Sequence, residues 1–97
     1  MKATPLFLGI STLVFSSLSM SAFAATADDT AALKAAIDHP IRSSANKARD
    51  EYRHPLETLS FFEVTPKSTV VEVSPGGGWY SEILAPLLQQ QGQYYAA

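Results

Sequence analysis

Apolar and polar residues divide the chain into three unlike stretches. The first, "LFLGISTLVFSSLSM", is an apolar run carrying small polar residues. The second carries apolar positions at helical intervals, and the third opens on β-branched residues before returning to helical spacing. In the second stretch, "DDTAALKAAI" (28–37) predicts a short helix, favoured by its alanines, capped by Asp28 or Asp29 and ended by His39-Pro40. Next, "IRSSANKARDEYRHP" sets Ile41, Ala45, Ala48 and Tyr52 at intervals of four, three and four, on one face of a second helix. Ser43 or Ser44 is its expected N-cap. Pro55 suits a first helical position, and Leu56, Leu59 and Phe62 continue the apolar stripe through "PLETLSFF".

"EVTPKS" reads as a turn, and "TVVEV" (69–73) as a strand buried on both faces, apolar apart from Glu72. After Gly76-Gly77-Gly78, "WYSEILAPLLQQQ" spaces Trp79 or Tyr80, Ile83, Leu84, Leu87 and Leu88 as a helix does. Pro86 is expected to kink or shorten that helix, and Gly92 to stop it. "QYYAA" then begins a second strand. The order predicts an α/β chain: N-terminal helices followed by the first βαβ unit of a parallel sheet.

Composition changes this picture at the N-terminus. Lys2, the apolar run and Ala22-Phe23-Ala24 have the order of a secretory signal, so residues 1–24 are expected to be removed and 25–97 to be the mature part. Its serines and small-x-small ending favour cleavage over a retained membrane anchor, which predicts export to the periplasm or beyond the cell. The mature part would hold 73 of the 97 residues, few for an independent core. With no cysteine it has no disulfide framework. Two isolated histidines, His39 and His54, give no reason to expect a metal. Without Lys2 the chain keeps six basic residues against nine acidic, a mild negative balance that points away from nucleic acid as a partner.

The candidate chemistry lies in "VVEVSPGGGWYSEIL" (70–84). A strand that feeds a helix through glycines lets backbone approach a ligand closely and aims helix-terminal amides at it. The spacing matches neither the dinucleotide fingerprint G-x-G-x-x-G nor a P-loop, which counts against a nicotinamide-dependent oxidoreductase. Glu72 stands inside the apolar strand, four residues before the first glycine, where a carboxylate is costly to bury without a partner. Beneath the loop it would accept loop amides or a ligand's ammonium group; otherwise it points to solvent beside a flexible turn.

"VVEVSPGGGWYSEILAP" resembles the first motif of class I S-adenosylmethionine-dependent methyltransferases, roughly hydrophobic-x-(Asp/Glu)-x-Gly-x-Gly-x-Gly. Glu72 falls on the acidic position, Gly76 on the second glycine and Gly78 on the third, while Ser74 replaces the first. With "RDEYRHPLETLSFFEVTP" upstream, the chain from about Arg42 resembles a group of secreted predicted methyltransferases. The resemblance implies a Rossmann-like sheet and a cofactor-binding set of Glu72, Ser74, Gly76, Gly77 and Gly78. Gly76 and Gly78 would pass close to the methionine and ribose portions of S-adenosylmethionine. Glu72 would anchor the loop or the methionine amino end, and Pro75 would stiffen the turn.

In that fold a carboxylate some 20 residues beyond the loop holds the ribose hydroxyls. The chain ends at Ala97, so the resemblance predicts an N-terminal fragment, inactive alone, with catalytic residues and methyl acceptor outside it. The alternatives are a non-catalytic small-molecule-binding module of the cell envelope and an inactive truncated fragment. Arg49 and Arg53 either clamp a carboxylate of a substrate or of the cofactor, or are solvated or paired with neighbours such as Asp50 and Glu57. Tyr52 either lines the site or joins the core. Trp79 and Tyr80 either flank a ligand or pack on the sheet.

Overall fold

Thr26 and Asp29 begin the first helix jointly. The computed structural model describes residues 25–97, together with Gly9; the expected signal and its cleavage point fall outside them. Helix α1 spans Ala27–Ile37. The Thr26 hydroxyl accepts from the Asp29 amide at 3.1 Å, and the Thr26 amide donates to Asp29 Oδ2 at 3.0 Å. This reciprocal box makes Thr26 the cap, one turn earlier than a cap at Asp29. Leu33 and Ala36 turn inward from it.

The second predicted helix is two single turns, α2 (Ser44–Lys47) and α3 (Asp50–Arg53), with Ser43 capping the first. The apolar face expected of that helix is turned outward. Ile41, Ala45, Ala48 and Tyr52 are exposed, Tyr52 by 78%, while Arg42 and Asn46 are buried. Arg42, Asn46 and Asp50 share one stripe at intervals of four, and that stripe has charged and hydrogen-bonding partners inside. Two alanine methyls bring little buried area to compete with those bonds.

His54, at φ 47°, breaks the chain before α4 (Pro55–Phe61), where Pro55 takes the first helical position as expected. Leu59 is buried and Leu56 packs beside it, but Phe62 lies past the helix end and is exposed. Strand β1 (Thr69–Glu72), helix α5 (Ser81–Leu88) and strand β2 (Gln93–Ala96) form one βαβ unit. The two strands run parallel, pairing Thr69 with Gln93, Val70 with Tyr94, Val71 with Tyr95 and Glu72 with Ala96. Helix α5 continues through Pro86 to Leu88.

Ile83, Leu84, Leu87 and Leu88 of α5 make the core with Leu33, Ala36, Leu59 and Trp79, and Val70 and Tyr94 pack on it from the sheet. Helix α5 covers one sheet face only. On the other, Val71 is 60% and Val73 76% exposed, beside exposed Tyr95. The strand expected to be buried on both faces is therefore half-covered, because no second layer lies against it among the described residues. Gly92 acts through space rather than through a left-handed turn. An added Cβ there would lie 2.6 Å from the Ser68 carbonyl oxygen and 2.8 Å from that of Pro66. Among the described residues the architecture is mixed α/β: five short helices and a two-stranded parallel sheet. Among the described residues no helix is long and apolar enough to cross a membrane.

Candidate functional site

Strand β1 leads directly into the loop that the sequence singles out. Ser74, Gly76 and Gly78 have φ values of 56°, 59° and 81°. Left-handed backbone thus recurs at every second position, which explains glycine at 76 and 78 but not at 77. Ser74 holds the same region with a side chain, at a cost on the order of 1 kcal/mol or more. It is pinned there: its amide donates to the Ala97 carbonyl at 3.0 Å, and the Ala97 amide donates to that of Glu72 at 2.9 Å. The Gly78 amide closes the turn onto the Pro75 carbonyl at 3.0 Å.

Glu72 finds its partners away from the loop. Its Oε2 accepts from Ser81 Oγ at 2.9 Å and from the Tyr94 hydroxyl, and those two oxygens are 2.8 Å apart. A half-buried carboxylate is thereby satisfied by one hydroxyl from α5 and one from β2. Burial, and then the Glu72 carboxylate beside it, push the Tyr94 phenol above its usual range. Neither the loop amides nor the ligand ammonium nor the solvent-facing position expected for Glu72 from sequence includes these two hydroxyls. The signal was the alternation of the strands, which sets Val70 and Glu72 in one phase with Tyr94 opposite Val70.

Just past the loop, Trp79 is 3% exposed and packs in the core. Its indole N–H is shared between the Asn46 carbonyl (3.1 Å) and Asp50 Oδ1 (3.0 Å). Arg42 grips Asp50 in bidentate fashion, with Nη2 to Oδ1 at 2.8 Å and Nη1 to Oδ2. Arg42 Nη1 also donates to the Ile37 carbonyl at 3.0 Å. The hydrogen-bonded guanidinium holds the Asp50 carboxyl below its usual range. Asn46 Nδ2 reaches the Gly77 carbonyl at 3.5 Å. The segment from Arg42 to Arg53 is thus strapped across the loop and its tryptophan.

Arg53 also rests on the loop's aromatic residues. Its guanidinium carbon lies 4.3 Å from the Trp79 ring centroid and 5.5 Å from that of Tyr80, whose rings meet edge to face. It pairs with neither Asp50 nor Glu57, and Arg49 is exposed elsewhere.

A cavity of about 520 Å³ opens between α4, the end of β1 and the start of the loop. Leu59, Phe62, Val64, Val70 and Leu84 supply apolar wall; Trp79 and Tyr80 supply aromatic wall. Among its described walls, Arg53 is the one cation and Glu72 the one anion. Of the residues predicted from sequence, Glu72 and Ser74 line the cavity. Gly76, Gly77 and Gly78 form the turn into α5 and are not among its walls. Tyr52 is exposed and takes no part in cavity or core. No protein-family model, no curated protein and no solved structure matches the chain.

Proposed function

We propose that the chain is the N-terminal part of an exported class I S-adenosylmethionine-dependent methyltransferase, its βαβ unit beginning a Rossmann-like sheet. One observation carries this reading: the left-handed residues at 74, 76 and 78, following Glu72, repeat the glycine spacing of the methyltransferase motif. A backbone turned that way brings peptide groups, rather than side chains, to whatever approaches the end of β1. The residues fit the cofactor on this count, and Ser74, standing where the motif has its first glycine, shares the left-handed backbone of Gly76 and Gly78.

When bound, S-adenosylmethionine supplies an activated methyl on a sulfonium, so the transfer asks for alignment more than for acid–base chemistry. Within this chain, Ser74 to Gly78 would cradle the donor. The Trp79 and Asn46 contacts would hold that cradle still, and Glu72 would fix α5 and β2 beneath it. The acceptor and the residues that position it belong, on this reading, to further strands. The bare Val71–Tyr95 face is what such a continuation would cover. Residues 1–24 would direct the protein to the periplasm or beyond and be removed.

The test is calorimetric titration with S-adenosylmethionine of this chain and of a longer form carrying additional strands. Saturable binding by the longer form, abolished by Gly76→Val with the fold kept, is the expected result. Binding by neither would make the loop a structural turn and end the methyltransferase reading. Binding without transfer to any acceptor would identify a small-molecule-binding module instead.

A further inference from the structure

The cavity's two charged walls are in unequal states. Glu72 already accepts two hydroxyl protons, from Ser81 and Tyr94. The Arg53 guanidinium has no ion pair and no hydrogen bond among the described residues; it rests on the Trp79 and Tyr80 rings alone. Of the two neighbouring carboxylates, Asp50 is taken by Arg42 and the Trp79 indole, and the exposed Glu57 makes no ion pair with Arg53 among the described residues. A guanidinium presents N–H donors in a planar fork, and aromatic stacking leaves that fork free. What the cavity lacks is therefore an anion.

We propose that this cavity binds a carboxylate carried on a largely apolar body, with Arg53 holding the carboxylate. The fork matches a carboxylate in bidentate fashion. A doubly charged phosphate is disfavoured, because one cation faces it and Glu72 repels it from the same cavity. The volume of about 520 Å³ and the Leu59, Phe62 and Val70 walls accommodate a ring or branched chain behind the charge. The inference uses the cavity described above but does not depend on the methyl donor.

Trp79 is the only tryptophan in the chain, so its fluorescence reports directly on Arg53. The experiment titrates the full chain with 4-phenylbutyrate, with its neutral analogue 4-phenylbutanamide and with phenyl phosphate. Saturable change with the carboxylate is expected, with the amide at least about tenfold weaker for loss of a charge-assisted pair. Arg53→Gln should erase that preference and Arg53→Lys should restore part of it. Equal binding of acid and amide, unchanged binding in Arg53→Gln, no saturable response to the acid, or tighter binding of phenyl phosphate would each overturn the proposal. S-adenosylmethionine titrated in parallel separates the two readings. Donor binding without carboxylate binding defeats this inference alone, and carboxylate binding without donor binding defeats the methyltransferase reading alone.

Discussion

At Gly92 an added Cβ would press against the carbonyl oxygens of Ser68 and Pro66, both backbone, and against Leu88 Cδ2 at 2.8 Å. That backbone, from Pro66 to Ser68, leads directly into β1 and cannot yield without disturbing the strand's register. Gly92→Ala is expected to cost about 1–3 kcal/mol, seen as a lowered melting temperature. The loop glycines should divide by conformation. Gly76→Ala and Gly78→Ala force a side chain into left-handed backbone and should each cost about 1 kcal/mol or more. Gly77→Ala meets nothing within 4 Å and needs no positive φ, so its melting temperature should stay near the wild type. A flexible, unstructured turn would instead tolerate all three alike. Sequence made this loop legible because three successive glycines after a β-branched run have few other uses. It could not show that 74, 76 and 78 alone bear the left-handed backbone, since 77 is also glycine.

At the scale of elements, the segment from Arg42 to Arg53 shows why the rest was not legible. Ile41, Ala45, Ala48 and Tyr52 share one helical stripe; Arg42, Asn46 and Asp50 share another, one residue on. Hydrophobicity favours the first, but the indole of Trp79, some 30 residues away, offers its N–H only to the second. Periodicity cannot register a partner so distant in sequence. Trp79→Phe keeps an aromatic ring but removes the donor and part of the buried indole, so it should destabilise by about 1–3 kcal/mol on denaturant unfolding. The strap also titrates. Arg42 depresses the folded-state pKa of Asp50, so its contribution is complete above the usual carboxylate value of 3.8 and is lost as pH falls through the lower folded value. Tyr94 is shifted the other way: its contribution is complete below 10.0 and is lost as pH rises through the raised folded value. Melting curves across pH should show both losses. Asp50→Asn should remove most of the acid one and Tyr94→Phe the alkaline one; unchanged profiles in these variants would contradict the assignment.

For the whole molecule, the order helix, strand, loop, helix, strand was readable, whereas the extent of covering was not. Strand β1 reads as doubly buried because its outward residues, Val71 and Val73, are apolar, yet both lie open beside Tyr95. Composition records what a residue suits, not whether another layer is there to meet it. A parallel sheet bare on one face should self-associate. Light scattering is expected to show concentration-dependent assembly that Val71→Thr with Val73→Lys relieves without lowering the melting temperature. A methyltransferase role requires the loop from Ser74 to Gly78 to be a ligand cradle. Its most direct test is amide-resolved NMR with S-adenosylmethionine added to this chain and to the longer form. Saturable shifts at Gly76, Gly77, Gly78 and the Trp79 indole are the predicted result; spectra in which these signals stay still in both forms would contradict it.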